Sequence, residues 1–313
     1  FLMILSILTS MFFVISSPSL FISWVGLELN TLAFMPILLS KKSKLTSEAS
    51  IKYFLTQTLA SILILMGGLM FLTFLEKLSM LVLLLGLSIK LGAAPFHGWV
   101  LSVAESTGWL PLFTLLTIQK INPLLMMWMF CHSTLAFFYL VVLSSLVVGG
   151  LAGLTQTSVR SMMTFSSINH VGWLMMGLSF GLGVGIYYFT IYLVTLLTSI
   201  IIFHAFNISN INQFPLLNFK SGNQVLLFFA LLSLGGLPPF LGFLPKWMIL
   251  QMTISCSLLL VGGVMISMSL VVLFFYLRLM FSSFIMSGVS TTNHSTDPLS
   301  LPAYYSMLFS LTG

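Results

Sequence analysis

Long apolar runs, separated by short polar connections, fill almost the whole of this 313-residue chain. A bilayer core about 30 Å thick needs roughly 20 apolar residues for each helix that crosses it. Only 5% of the residues are charged, whereas an ordinary globular domain carries about 25%, because its surface must face water. The pattern therefore predicts an integral membrane protein and excludes a soluble enzyme, a disordered chain and a disulfide-stapled domain.

The apolar runs predict an all-α, polytopic protein with about eleven transmembrane helices. The two cysteines, Cys131 and Cys256, lie far apart and show no metal-ligand spacing, so we interpret them as buried, inert thiols rather than as a disulfide or a metal pair. The predicted segments are 1–16, 19–39, 52–75, 78–95, 110–131, 134–156, 162–181, 184–206, 225–245, 250–284 and 300–313.

The basic residues of the connections fall almost entirely on one side of the predicted membrane. Only Lys77 lies on the side opposite the N-terminus. Excess Lys and Arg mark the cytoplasm-equivalent face, so the net charge of +6 reflects membrane topology rather than nucleic-acid binding. The basic residues on the N-terminal side are Lys41, Lys42, Lys44, Lys52, Arg160, Lys220 and Arg278.

Four ionisable residues lie inside apolar segments: Glu28, Lys90, Lys120 and Lys246. A charge at the centre of a membrane helix costs about 2.5–3.5 kcal/mol on insertion scales. Such residues mark ion or proton paths, and the alternative is a purely structural ion pair. Because burial disfavours the charged form of both lysine and carboxyl groups, these side chains are candidates for gaining and losing protons.

Two proline-containing stretches resemble each other: APFHGW at 94–99 and PPFLGF at 238–243. Proline removes a helical donor and frees carbonyls at membrane depth, so Pro95, Pro238 and Pro239 predict two interrupted helices. Paired interruptions indicate a transport site. An odd number of helices separates them, which predicts an inverted repeat. We therefore predict one five-helix repeat at 1–131, a second at 132–285, and a connection with a last transmembrane helix at 286–313.

Several polar residues near these positions are weaker candidates. His170 is a further candidate for a proton relay, since its segment corresponds to that of Glu28 in the other repeat. The others are as readily explained by hydrogen bonds between helices; they are Ser88, His97, Gln119, Asn122, His132 and His204. No haem, iron–sulfur, metal or nucleophile motif is present in the sequence, so no redox centre, metal or cofactor is expected on this chain.

The chain resembles the NADH–ubiquinone oxidoreductase chain 2 family, the mitochondrially encoded antiporter-like subunits of respiratory complex I. The resemblance covers nearly the whole chain and is least distinctive at the ends and at 207–224. The matching stretches are WVGLELNTLAFMPIL, ASIKYFLTQTLAS, KLGAAPFHGWV, TIQKINPL, SVRSMMTFSSINHVGW and SLGGLPPFLGFLPKWMIL.

The resemblance implies a fold of two inverted five-helix bundles with an interrupted helix in each. It implies that Glu28 pairs with Lys90 on the first interrupted helix, that Lys120 is the central lysine and that Lys246 is the terminal one. The family usually has a proline shortly after the tryptophan of the first break, whereas Leu101 and Ser102 stand here. This departure leaves the connection at 100–108 open, and no role is assigned to Glu105.

The function so implied is that of a core subunit of a proton-pumping enzyme, which carries protons through buried Glu and Lys residues while electrons pass elsewhere. Two alternatives remain at this point: a stand-alone cation–proton antiporter, and a scaffold subunit that transmits electrostatic changes without pumping. NADH, FMN, iron–sulfur clusters and ubiquinone would belong to other subunits.

The resemblance and the charge bias together predict a multi-pass protein of the mitochondrial inner membrane. Its N-terminus would lie on the matrix side and its C-terminus on the intermembrane-space side. The expected partners are other membrane-arm subunits, accessory subunits and membrane lipids, with cardiolipin as a candidate, and no nucleic acid.

Overall fold

The computed structural model describes residues 2–17, 19–40, 43–71, 76–131, 133–216 and 221–285. Lys41, Lys42, His132, Lys220 and the predicted last helix at 300–313 lie outside these residues. The described helices are α1 (Leu2–Ser16), α2 (Leu20–Leu38), α3 (Lys44–Met70), α4 (Glu76–Leu91), α5 (Gly98–Ser106), α6 (Trp109–Leu116), α7 (Ile118–Phe130), α8 (Leu135–Gly153), α9 (Val159–Phe180), α10 (Leu182–Ala205), a 3-10 helix (Ile211–Leu216), α11 (Ser221–Gly235), α12 (Phe243–Ser255) and α13 (Leu259–Ile285).

The prediction of an all-α, multi-pass membrane protein is confirmed. Over the described ranges the chain has no strand beyond an isolated bridge between Ser158 and Asn210. Six stretches of the same ranges are helical, long and apolar enough to cross a bilayer: Leu20–Leu38, Lys44–Met70, Trp109–Phe130, Leu135–Gly153, Leu182–Ala205 and Leu259–Phe281. Shorter apolar helices, among them Leu2–Ser16 and Val225–Gly235, accompany them.

Apart from the interruption predicted within 225–245, two predicted segments are divided in the structure. The segment 110–131 is interrupted at Thr117, whose hydroxyl donates to the Phe113 carbonyl at 2.6 Å. Such a local bond competes with the helix. The predicted helix at 250–284 is wrong as a single element, since α12 ends at Ser255 and Ser257 has a φ of 58°. Hydropathy does not fall at either point, so the apolar pattern alone could not reveal the interruption.

The chain folds as two compact units, residues 1–145 and 146–313, which we call unit 1 and unit 2. In unit 1, α3 and α4 approach closely through glycines. A Cβ on Gly67 would lie 2.7 Å from Leu83, and one on Gly86 would lie 2.7 Å from Ile64. Small residues allow membrane helices to pack at short range. This rigid pair fixes the end of α4, where Lys90 lies.

In unit 2, α9 is the central helix, because its side chains are buried on every face from Val159 to Leu178. A helix that is buried all round lies in the core of a bundle rather than at its lipid surface. Asn169 on α9 donates its Nδ2 to the Leu146 carbonyl at 3.1 Å. A Cβ on Gly149 would come within 2.5 Å of the Asn169 nitrogen. The arrangement holds His170, the next residue, deep inside the unit.

Candidate functional site

The first break, residues 92–97, lies between α4 and α5. The residue that follows the end of α4, Gly92, has a left-handed conformation with a φ of 66°. The backbone N–H groups of Gly92 and Ala93 donate to the carbonyls of Ile89 and Ser88, each at 3.0 Å. This is the Schellman arrangement, which satisfies the last carbonyls of a helix. The chain then turns through Pro95 and resumes as α5.

The second break, residues 236–242, repeats this construction between α11 and α12. Gly236 has a φ of 76°. The N–H groups of Gly236 and Leu237 donate to Ser233 and Leu232, at 3.1 and 3.3 Å. Pro239 follows at the position of Pro95, and both prolines take part in cis peptide bonds. Sequence similarity at the two breaks therefore corresponds to the same local backbone.

Lys90 and Glu28 meet beside the first break. The Lys90 Nζ lies 3.9 Å from the Glu28 Oε1, and the two side chains are 1% and 21% exposed. This separation is an ion pair rather than a hydrogen bond, since N–H···O bonds measure about 2.7–3.2 Å. The arrangement brings together two of the residues that the sequence singled out.

A cavity of about 10 Å³ joins Lys90 to Lys120. That volume is close to the minimum of roughly 10–15 Å³ that one water requires. Lys120 reaches it from α7 and is buried, with an exposed fraction of 4%. The first cavity is lined by Leu27, Asn30, Thr31, Tyr53, Gln57, Lys90, Leu91, Trp99, Val100, Leu115, Gln119, Lys120 and Pro123. The two lysines therefore line one cavity inside unit 1.

Side chains on three helices form a hydrogen-bonded chain along this cavity. The Tyr53 hydroxyl donates to the Gln119 Oε1, and the Gln119 Nε2 donates to the Asn30 Oδ1, both at 3.1 Å. All three residues are buried. Gln119 was a sequence candidate, whereas Tyr53 and Asn30 were missed. The signal that could have found them is their placement: Asn30 is two residues after Glu28, and Tyr53 is a polar-tipped residue inside an apolar segment.

Lys246, on α12, meets a different environment at the second break. Its Nζ donates to the Gly235 carbonyl, the last of α11, at 2.8 Å. The same Nζ lies 5.7 Å from the centre of the Trp173 ring, within cation–π range. The side chain is buried, with an exposed fraction of 5%. No described carboxylate lies within salt-bridge distance of it, since the ion pair of the described residues is Lys90–Glu28.

His170 lies on α9, against two tyrosines of α10. Its Nδ1 is 2.8 Å from the Tyr188 hydroxyl, and its ring centre is 4.7 Å from that of Tyr192. These three residues border a second cavity of about 10 Å³, which also touches Ser233, Gly242 and Pro245 at the second break. Sequence reasoning had selected His170 but neither tyrosine.

The remaining sequence candidates fall into structural roles. Asn122 donates to the Ser10 hydroxyl at 3.1 Å, and Ser88 donates to the Leu85 carbonyl at 2.7 Å. His97 lies in the first break and is partly exposed, whereas His204 and Glu105 are exposed. Arg278 donates to the carbonyls of Leu154 and Gln156, at 2.7 and 2.9 Å. Cys131 is buried, as predicted, whereas Cys256 is exposed, so the prediction of a buried thiol is wrong for Cys256. Among the described residues, no group of three or more His, Cys, Asp or Glu could hold a metal ion.

Comparison with known proteins agrees with this architecture. The family model described as "NADH:quinone oxidoreductase/Mrp antiporter, TM" matches residues 17–273. The chain is 39% identical over 283 residues to NADH-ubiquinone oxidoreductase chain 2 of Anopheles gambiae, covering 87% of this chain and 82% of that one. It is 37% identical over 296 residues to the Branchiostoma floridae protein of the same name, with 91% and 85% covered.

Solved structures show the same fold. A chain of respiratory complex I from Thermus thermophilus with bound aureothin superimposes with a TM-score of 0.84 at 23% identity, covering 99% of this chain and 75% of that one. A chain of the Mrp complex from Dietzia sp. gives 0.81 at 18% identity, with 90% and 60% covered. The chain therefore belongs to the NADH:quinone oxidoreductase/Mrp antiporter transmembrane family and, within it, to the NADH-ubiquinone oxidoreductase chain 2 family.

Proposed function

We propose that this chain is a core membrane-arm subunit of a proton-translocating NADH:ubiquinone oxidoreductase and that its buried Glu and Lys residues carry the protons. Its relatives over nearly the whole chain are subunits of that enzyme by name. The observation that carries the proposal is local: Lys90 and Lys120 line one cavity of water size beside a helix break, and Glu28 pairs with Lys90. A purely structural ion pair would need neither the second lysine nor the cavity.

The mechanism follows from the charge balance of this site. A buried ammonium is stable while a carboxylate lies beside it and loses its proton more readily when that carboxylate moves away. At 3.9 Å, the Glu28–Lys90 pair is loose enough for a small shift of either helix to separate it. Lys90 would then release a proton across the cavity to Lys120, and restoring the pair would reload Lys90.

The unit containing Lys246 completes the proposed path. Lys246 is the terminal carrier, and His170 is a further carrier in the same unit. The two breaks, 144 residues apart with matching caps and prolines, support an inverted pair of five-helix repeats and about eleven transmembrane helices in all.

The proposed setting is the mitochondrial inner membrane, since the matched relatives are animal NADH-ubiquinone oxidoreductase subunits. The N-terminus would face the matrix and the C-terminus the intermembrane space, because positive charge accumulates on the inner side. Other membrane-arm subunits, accessory subunits and lipids such as cardiolipin would surround the chain. FMN, iron–sulfur clusters and the NADH and ubiquinone sites would belong to other subunits.

Replacement of the lysines tests the proposal in the assembled enzyme. Lys90→Met and Lys246→Met each remove an ammonium and keep most of the side-chain volume. We expect both to lower the number of protons moved per NADH oxidised in sealed membrane vesicles. Lys77→Met is the matched control, since Lys77 is exposed at the start of α4. Normal stoichiometry in both Lys90 and Lys246 variants would refute the relay and favour a scaffold role.

The likeness to an Mrp complex chain keeps one alternative, a cation–proton antiporter that acts without an electron-transfer partner. Mild solubilisation and native electrophoresis distinguish the two. The proposed function requires the chain to migrate with the NADH-oxidising assembly. Cation-driven proton exchange by the isolated chain would instead support the antiporter.

A further inference from the structure

The second cavity lies in a group of aromatic hydroxyls that the proposed Glu and Lys path does not use. Tyr188 and Tyr192 are one turn apart on α10, so they project from the same face of that helix. Both are almost completely buried, as are His170 beside them and Tyr276 on α13. Burying several phenol groups together is costly unless each finds a polar partner. Their shared position against a histidine therefore points to a polar function rather than to packing alone.

The two tyrosines contact His170 in different ways. Tyr188 places its hydroxyl 2.8 Å from the His170 Nδ1. Tyr192 covers the imidazole with its ring, at 4.7 Å between centres, and its hydroxyl interacts with Ser167 instead. A direct hydroxyl contact to the imidazole is thus given by Tyr188.

The same group reaches the second break and Lys246. The cavity bordered by His170 and Tyr188 also touches Gly242 and Pro245, the residue directly before Lys246. Trp173, one turn after His170, stacks on Tyr188 with the rings 8° from parallel. The Lys246 ammonium lies over the Trp173 ring. Lys246 and the Tyr188–His170 pair therefore share Trp173 as a neighbouring side chain, and the residue before Lys246 borders the cavity.

We propose that Tyr188 is the residue that positions His170 and connects it to Lys246. This inference rests on the proposed function. Imidazole is the side chain whose charge changes near neutral pH, and the bond made by one nitrogen sets the role of the other. In neutral His170 the Tyr188 O–H donates to Nδ1, and the hydrogen is carried on Nε2. In the cation, Nδ1–H donates to the Tyr188 oxygen.

The transfer step balances without any oxidation or reduction. A proton leaves the Lys246 Nζ and passes to the Tyr188 oxygen. The hydrogen already on that oxygen moves to the His170 Nδ1. One N–H bond breaks at lysine and one N–H bond forms at histidine, while tyrosine ends unchanged. The reverse sequence returns the proton to Lys246.

The variant Tyr188→Phe in the assembled enzyme tests this step. It removes one oxygen and keeps the ring that stacks on Trp173. We expect proton-coupled turnover to fall about threefold to tenfold, as for the loss of one hydrogen bond at a transfer site. Tyr192→Phe should have a smaller effect, because its ring still covers the imidazole. Tyr187→Phe, at an exposed neighbouring position, should leave turnover unchanged.

Two further readouts separate positioning from mere packing. In a His170→Gln background, Tyr188→Phe should cause no additional loss, because Tyr188 acts through that histidine. Infrared difference spectra with nitrogen-15 histidine should also show an altered imidazole tautomer in Tyr188→Phe and an unaltered one in Tyr187→Phe. Additive losses, or an unchanged histidine signal, would overturn the proposal. If Lys246→Met impairs pumping while Tyr188→Phe does not, this inference fails and the proposed function stands; if neither impairs it, both fail.

Discussion

Units 1 and 2 contain the same backbone break but hold a lysine beside it in opposite ways. In unit 1, Lys90 precedes the break and faces the carboxylate of Glu28. In unit 2, Lys246 follows the break and donates to the Gly235 carbonyl, with its charge over Trp173. A carboxylate can be protonated or moved, whereas a helix-terminal carbonyl stays an acceptor and an aromatic ring stays apolar. The first lysine can therefore be controlled through its partner, and the second only by moving the lysine itself.

The largest expected difference between the units concerns a glycine that lies six residues after the left-handed glycine in each of them, Gly98 in unit 1 and Gly242 in unit 2. A Cβ on Gly242 would lie 1.8 Å from the backbone carbonyl oxygen of Ser233, whereas a Cβ on Gly98 would meet nothing within 4 Å. Gly242→Ala should lower the free energy of unfolding by about 3 kcal/mol or more, because the backbone must move to make room for the methyl group. Gly98→Ala should stay within about 0.5 kcal/mol.

The amount of chain incorporated into the assembled complex, measured by native electrophoresis, reports this difference. Gly242→Ala should assemble poorly and Gly98→Ala normally. Equal assembly of the two variants would mean that the second break can relax, and that its tight carbonyl contact is not required for the position of Lys246.

The residues of the candidate site were predictable where they violate the membrane environment. Glu28, Lys90, Lys120 and Lys246 stand out because a charge inside an apolar segment needs a reason. The prolines stand out similarly, since they interrupt runs that would otherwise span a bilayer. In both cases the residue type alone indicates the unusual position, so the prediction does not require knowledge of the neighbouring residues.

The partners of those residues could not be predicted, because they depend on which helix faces meet. Lys246 donates to the Gly235 carbonyl, which can accept this bond because α11 ends at Gly235. Tyr53 and Tyr188 look like ordinary members of apolar segments until packing brings their hydroxyls to Gln119 and His170. The helix ends at Thr117 and Ser255 likewise give no signal in the hydropathy pattern. The sequence thus reveals which buried charges are unfavourable, whereas the contacts that stabilise them depend on how the helices pack in the fold.

A second prediction compares the partners of the two lysines directly. Glu28→Gln keeps the shape of the side chain but removes its charge, so Lys90 loses the group that controls it. Proton-coupled turnover should fall by roughly tenfold or more, the range of a lost proton-transfer partner. Trp173→Phe keeps an aromatic face under Lys246 and should lower turnover by less than about threefold, because it retains part of a cation–π contact that is worth about 0.5–2 kcal/mol in total. Proton uptake by sealed vesicles during NADH oxidation measures both effects. A loss of turnover in Trp173→Phe as large as that in Glu28→Gln would contradict the distinction between a controllable partner and a fixed one.

The smallest expected effect concerns the hydrogen-bonded chain of unit 1. Tyr53→Phe removes the donor to the Gln119 Oε1 and leaves that buried amide oxygen without the bond made at 3.1 Å. Such a loss costs about 1 kcal/mol, which corresponds to a change of roughly fivefold in the population of the ordered arrangement. Because Gln119 is adjacent to Lys120 and borders the first cavity, turnover should fall by up to about that factor while assembly stays normal.

Tyr139→Phe is the matched control, since Tyr139 is half-buried on α8 and packs against Phe138. If Tyr53→Phe matched that control, the amide chain would be a packing feature, and unit 1 would depend on its charges alone. If it lowered turnover as much as Glu28→Gln, the neutral chain would rank with the ion pair, and unit 1 would resemble unit 2, where uncharged partners hold the lysine.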